Sequence, residues 1–153
     1  ESEFGHIRLD KSGKTLQSSC SGWAVDEKIR NASLVSPRSQ LALLTKGLKQ
    51  NEATILHKAL EAGDTIAQDI FDSTMDDLAF ALSHAIHLFH PDIVVLGGGL
   101  SLLGEILRSA AEAKVKNYLM DAFRPDLNIQ LAALKEDAVT IGAISMTMRK
   151  SII

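Results

Sequence analysis

The segment 90-HPDIVVLGGGLSLLGE-105 carries two signals in succession. Ile93, Val94, Val95 and Leu96 are consecutive and apolar, and three of them are β-branched. That pattern predicts a short buried strand over 93–96, of the parallel kind. Gly97, Gly98 and Gly99 follow without a break. They open positive φ to the backbone and allow another group to come close to it. A helical pattern then starts at Leu102 or Leu103 and runs to about residue 119. Strand, glycine turn and helix together present backbone N–H groups at the carboxyl edge of a sheet. The segment lacks the Lys-Ser/Thr of a phosphate loop and the spacing of a dinucleotide GxGxxG. A ligand contact and a tight chain turn both fit the three glycines.

Upstream, residues 64–89 contain neither Gly nor Pro. Ile66, Ile70, Met75, Leu78, Leu82, Ile86 and Phe89 fall on one broad face, so a helix of about 25 residues is expected, stopped by Pro91. Ala67, Ala79, Ala81 and Ala85 would let neighbours approach it closely. A strand is expected over 7–9, a turn over 11–14, and a helix over 23–31 capped by Ser21. The polar run 15–20 is ambiguous. Residues 33–39 read as a loop, 41–48 as a short apolar piece and 51–60 as a helix ended by Gly63. Downstream, Ile129, Leu131 and Ala133 alternate with Gln130 and Ala132, predicting a second strand beside the first. Residues 135–137 read as a loop. A last helix over 139–148 should hold Gly142 and Ala143 tight against a neighbour. Helices interleaved with short strands indicate an α/β fold.

The 153 residues suffice for one domain. A net charge of -3 without a dense Lys/Arg run offers no electrostatic footprint for nucleic acid or an anionic membrane. No apolar run approaches the roughly 18 residues of a membrane span. The single cysteine, Cys20, excludes an internal disulfide framework and points to a reducing, cytoplasmic setting.

Glu3 and His6 flank Gly5. Such a pair can bind polyol hydroxyls, share a proton or ligate a metal, or can be a solvated glutamate beside an edge histidine. Cys20 has no indicated partner and suits a small buried hydrophobe. His84, His87 and His90 recur every third residue, an arrangement that serves the last carbonyls of a helix better than a metal. Asp69, Asp72, Asp76 and Asp77 read as a solvated acidic face. Trp23 suits the core, an interface or a stacking platform. No Ser/His/Asp triad is visible.

Taken together, Glu3-Phe4-Gly5-His6, Ser21-Gly22, IVVLGGGLS over 93–101, Asp137-Ala138 and Gly142-Ala143 resemble the carboxyl-terminal half of the ROK family. That family comprises bacterial sugar kinases and sugar-responsive repressors. The resemblance implies the carboxyl-terminal lobe of an actin-like ATPase, or sugar kinase, fold of ribonuclease H-like type. It implies that Glu3 and His6 hydrogen-bond a hexose or amino sugar, with Gln17 beside them where a glutamate is common. Gly97, Gly98 and Gly99 would line a nucleotide pocket for ATP with Mg, and the helix of Gly142 and Ala143 would lie near the interlobe hinge. The CxCGxxGC run of zinc-bearing members is absent, so no zinc is expected. The family's catalytic aspartate and its phosphate-binding hairpin precede the ExGH element, and neither is here. Residues 1–153 are therefore expected to form a single partial domain without the amino-terminal lobe, inactive alone. A gap is expected in the sheet between strands 7–9 and 93–96, with the missing half or a second copy of the chain as partner. The intact protein is expected to be a homo-oligomeric sugar kinase or, alternatively, a sugar-sensing regulator whose DNA contacts lie outside this chain, or a non-catalytic family member.

Overall fold

In the computed structural model the described residues are 3–134 and 137–150. The longest element is α5, Thr65–Phe89. Its start is fixed by the Asp64 carboxylate, whose Oδ1 accepts the Ile66 and Ala67 N–H groups at 2.9 Å each. Oδ2 accepts the Leu41 N–H at 2.9 Å, tying α3 (Gln40–Thr45) to the same cap. Its end is set by His90, which enters the left-handed region at φ 43° just before Pro91. Ala67, Ala79 and Ala81 are fully buried, so neighbouring helices approach α5 with no side chain in the way.

Helices α1 (Leu16–Cys20), α2 (Gly22–Val35), α4 (Leu56–Glu61) and α6 (Glu105–Val115) pack around α5. The larger core joins Val25, Ile29, Leu41, Leu56, Met75 and Leu107. A second joins Leu82, Ile86, Val115 and Ile129. A third, smaller cluster holds Leu16, Cys20 and Ala81 against Phe4, Ile7 and Leu9. Burying each large aliphatic side chain contributes about 1.5–3 kcal/mol.

Strands β1 (Val94–Leu96) and β2 (Ile129–Leu131) pair in parallel, Val94 with Ile129 and Leu96 with Leu131. Helix α6 forms the crossover that a parallel pair requires. The expected neighbour relation of the two strands holds. The expected full burial of 93–96 does not: Val94 and Leu96 face the core, whereas Ile93 and Val95 are about half exposed, at 46% and 55%. Helices α5 and α6 pack on the Val94 and Leu96 face instead.

Several expectations are corrected. Residues 7–9 form no strand of the sheet, only an antiparallel bridge of Arg8 with Thr15. The Asp10 carboxylate, accepting N–H bonds from Ser12, Gly13 and Lys14, folds that segment back on itself. The ambiguous run after Thr15 is a helix, α1, closed by a reciprocal Thr15–Ser18 capping box. Helix α2 continues to Val35, past its expected end. The helix expected over 51–60 begins as a 3-10 turn, Glu52–Ile55. The helix expected from residue 102 is split: a 3-10 turn, Gly99–Leu103, ends at Gly104 with φ 66°, and α6 then ends at Val115. Helix α7 (Ala138–Lys150) holds no tight contact at Gly142, where an added Cβ would meet nothing within 4 Å. Ile141, Ile144, Met146 and Met148 on it are exposed. The loop expected over 135–137 falls mainly outside the described residues.

The packing around α5 and β1 generates two predictions. Burial works against the Asp64 carboxylate, but the N–H groups of Leu41, Ala67 and Ile66 outweigh it and hold its pKa below the usual 3.8. Its stabilisation is therefore present above that value and is lost as pH falls through the lowered one. Asp64→Ala should cost about 1–3 kcal/mol at neutral pH in chemical denaturation, and Asp64→Asn should flatten the acid limb of the stability curve. Second, among the described residues β1 leaves one edge unpaired with Ile93 and Val95 beside it, an arrangement prone to self-association. The 153-residue chain alone should run as oligomers in gel filtration, and Val95→Lys should shift it toward monomer; a monomeric wild type would refute this.

Candidate functional site

Phe4–His6 is one 3-10 turn, closed by the His6 N–H on the Glu3 carbonyl at 3.0 Å and the Ile7 N–H on the Phe4 carbonyl at 3.1 Å. The turn puts the exposed Glu3 and His6 on the rim of one depression, whose wall is the end of α5 at His84, Leu88 and Phe89. Gln17 comes from α1, whose Leu16 N–H bonds the Ile7 carbonyl at 3.0 Å. A Cβ on Gly5 would sit 3.5 Å from both Cβ and Oε1 of Gln17. Gln17 thus lies over the glycine between Glu3 and His6 without lining their depression.

At the other end of the sheet, β1 runs directly into the glycine turn. Gly98 has φ 81°, a conformation that disfavours a side chain, with open space where its Cβ would be. The Ser101 N–H and hydroxyl both donate to the Gly98 carbonyl, at 2.9 and 2.7 Å. Gly97 makes only ordinary contact, 3.4 Å from the Ala132 Cβ. Of the two readings of the glycines, close packing does not explain Gly98; the turn geometry does. The three glycines line a cavity of about 300 Å3 with Cys20, Ser21 and Gly22 at the α1–α2 junction.

These two places are not isolated. An apolar groove of about 400 Å3 runs along β1 and is lined by both Phe4 and Gly97. It shares Phe4, Ala85 and Phe89 with the Glu3–His6 depression, and Leu78, Leu96 and Gly97 with the glycine cavity. The cavity in turn shares Gly22 and Gly99 with a further cleft that contains Trp23 and Asn51. The result is a row of adjoining depressions that share lining residues. It crosses the position where the sequence predicts a gap beside β1.

Other candidates resolve as structural. Burial, reinforced by the Asp77 carboxylate, pushes the Cys20 thiol up to about 11, and its Sγ–H donates to the Thr74 carbonyl at 3.4 Å. A neutral, buried thiol is neither nucleophile nor metal ligand. The three histidines do not converge on a common point. His84 Nδ1 lies 2.8 Å from the Phe80 carbonyl, His87 Nε2 accepts the Met120 N–H at 3.2 Å, and His87 and His90 set their rings edge-on to Phe123. Only His84 serves a carbonyl of its own helix through its side chain. Among the described residues no group of three or more His, Cys, Asp or Glu could hold a metal.

The acidic face is less solvated than its spacing suggests. Asp72 pairs with Lys114 at 3.2 Å, Asp76 accepts the Tyr118 hydroxyl at 2.8 Å, and Asp77 pairs with Lys14 at 2.5 Å. Asp77 also accepts the Ser19 hydroxyl. Trp23 is 53% exposed at the mouth of its cleft rather than in the core.

Comparison with known proteins gives the family. The ROK family model matches residues 1–150. Over 152 residues the chain is 32% identical to a glucokinase of Thermotoga maritima, covering 94% of this chain and 48% of the relative. It is 26% identical over 153 residues to the N-acetylglucosamine repressor of Escherichia coli O157:H7, covering 96% of this chain and 37% of that protein. A ROK family glucokinase from Streptomyces griseus, solved with glucose and AMPPNP, superposes with a TM-score of 0.80 at 24% identity. That match covers 95% of this chain and 50% of the glucokinase. The chain thus spans about half the length of such kinases, and its fold is that of part of a sugar kinase. With the family model matching residues 1–150, nearly its whole length, this chain belongs to the ROK family.

Proposed function

We propose that this chain supplies part of the sugar site and part of the nucleotide site of an ATP-dependent kinase acting on a hexose or amino sugar. The observation that carries this is the row of adjoining depressions, sharing lining residues, between the Glu3–His6 depression and the Gly97–Gly99 cavity. A phosphoryl transfer needs acceptor and donor in one cleft, and positioning supplies most of the catalysis. Glu3 and His6 offer a carboxylate acceptor and an imidazole to sugar hydroxyls. Gln17, over Gly5, offers both an acceptor and a donor. The glycine turn offers backbone without side chains to the nucleotide.

The base that deprotonates the sugar hydroxyl and the remaining phosphate contacts are assigned to polypeptide outside residues 1–153, which form a single partial domain in this reading. Three features support that assignment. The relatives are about twice as long, β1 has an open edge beside an apolar groove, and α7 exposes Ile141, Ile144, Met146 and Met148. Mg would arrive with the ATP phosphates, neutralising their charge during transfer. Zinc has no part in the reading, since the chain lacks the CxCGxxGC run and has a single cysteine. The intact protein would be a cytoplasmic homo-oligomer. Its partner on the open edge is the amino-terminal half or, failing that, a second copy of this chain.

The similarity to the N-acetylglucosamine repressor supports a second reading, in which the same sugar contacts serve a regulator. Sugar-dependent ATP hydrolysis or sugar phosphate formation by the full-length protein separates the two. In the kinase reading, Glu3→Ala should raise the KM for sugar by about tenfold or more, the scale of a lost charge-assisted hydrogen bond. An unchanged KM would remove Glu3 from the site. Gly98→Val should weaken ATP binding more than sugar binding, because a β-branched residue is strained at φ 81°. Titration of each ligand against the full-length variant checks the order.

A further inference from the structure

Helix α1 has only five residues, and a polar cluster holds its inner side to one turn of α5, residues 74–77. The buried Ser19 donates its hydroxyl to Asp77 Oδ2, and Cys20 donates its Sγ–H to the Thr74 carbonyl at 3.4 Å. Lys14, just before the helix, pairs with the same Asp77 oxygen at 2.5 Å. From α2, Lys28 Nζ donates to Thr74 Oγ1 at 2.9 Å and to Ser19 Oγ at 3.4 Å. Ser19 thus accepts from Lys28 and donates to Asp77, so its hydroxyl is engaged in both senses. The apolar part of the same contact is Leu16 and Cys20 against Ala81. Hydrophobic contact is non-directional, and an alanine methyl offers little to index a helix against. The polar bonds supply the direction.

Direction matters because of Gln17. Residues 17 and 19 stand about 200° apart around a helix of 3.6 residues per turn. Ser19 is turned in toward α5, and Gln17 is exposed on the other side. There it lies against Gly5, where an added Cβ would meet Gln17 Cβ and Oε1 at 3.5 Å each. Neither Ser19 nor Asp77 lines the Glu3–His6 depression, so any effect of theirs on a ligand there passes through α1.

We propose that Asp77, acting through Ser19, is a positioning residue of the sugar site: it holds α1 in the rotation that presents Gln17 to a sugar hydroxyl. The proposal rests on the sugar-site reading of Gln17 and adds the residues that orient it. Asp77 touches no sugar itself. Its contribution is the fixed placement of one amide, which a five-residue helix cannot secure alone.

The test uses the full-length protein, with glucose, N-acetylglucosamine and ATP each titrated calorimetrically. Gln17→Ala should weaken sugar binding about three- to tenfold, the scale of one neutral hydrogen bond. Asp77→Ala should weaken it by about threefold or more, and by no more than Gln17→Ala does. Ser19→Ala, a milder change to the fold, should act in the same direction. ATP affinity should stay within about twofold of wild type in all three. The deciding measurement is the double variant Gln17→Ala with Asp77→Ala, which should bind sugar no more weakly than Gln17→Ala alone, because the second change has nothing left to act through. Additive losses in the double variant overturn the proposal, as does a parallel loss of ATP and sugar affinity in Asp77→Ala and Ser19→Ala. If Gln17→Ala weakens sugar binding while Asp77→Ala and Ser19→Ala leave it unchanged, the positioning role alone fails. If Gln17→Ala has no effect, or wild type binds neither sugar, the sugar reading of Gln17 fails and the proposal fails with it.

Discussion

Leu78 packs against all three hydrophobic clusters, and the rest of the fold is arranged by that one position. It lies near the middle of α5, between the fully buried Met75 and Ala79. From there its side chain reaches the α1–α2 junction on one side and the end of β1 on the other. It lines both the apolar groove and the glycine cavity. The row of depressions exists because a single long helix runs beneath it without interruption. A glycine or proline within residues 65–89 would break both core and site, since either residue destabilises a helix interior by about 1–3 kcal/mol before any packing is lost. The buried alanines act in the complementary sense. They keep the neighbouring helices near enough for short elements such as α1 to be placed closely against α5.

The sheet imposes the opposite constraint. Two strands of three residues each cannot by themselves bury both faces or satisfy both edges. One face of β1 is committed to the core through Val94 and Leu96. The other shows Ile93 and Val95, and the open edge borders a groove lined by Phe4, Leu16 and Leu82. Large β-branched residues are costly to leave in water, so their presence on this face is informative. It matches a protein in which further polypeptide covers the sheet, and the same argument applies to the exposed isoleucines and methionines of α7.

Long-period signals were legible in the sequence, and short ones were not. The unbroken run 64–89, its Asp64 start and its Pro91 stop translate directly into α5, since nothing else in the chain can compete with 25 residues of consistent pattern. The adjacency of 93–96 and 129–133 was likewise legible, because a crossover helix between two apolar runs implies a parallel pair. What escaped was decided by single local bonds or by absent neighbours. The Thr15–Ser18 capping box turns a polar run into α1, and Gly104 splits one expected helix into two. The segment 7–9 has strand periodicity but no strand beside it to pair with. The expectation of tight packing at Gly142 assumed a neighbour that no described residue provides. Within the site, the glycine turn and the Glu3–His6 pair stand out in the sequence. Their connection through Phe4 does not, since nothing in the sequence singles Phe4 out. Trp23 was open between core, interface and platform until its exposure was known.

The polar cluster beneath α1 explains how so short a helix can place Gln17 reproducibly. Five residues make a marginal helix in isolation. Here α1 is held from below by Asp77, which takes the Ser19 hydroxyl and pairs with Lys14 across the helix start. Lys28 completes the cluster, donating to Thr74 Oγ1 at 2.9 Å and to Ser19 Oγ at 3.4 Å. Burial pulls the Lys28 amine below its ordinary pKa, while the Cys20 and Asp77 groups work against that pull. A carboxylate shared between a lysine and a serine is directional in a way that apolar packing is not. It fixes the rotation of α1 about its axis as well as its depth. That rotation sets which residue faces the 3-10 turn, and the one that does is Gln17 over Gly5. Asp77, one of the acidic residues of α5 that read as a solvated face, therefore reaches the candidate sugar site indirectly, by orienting the helix that borders it.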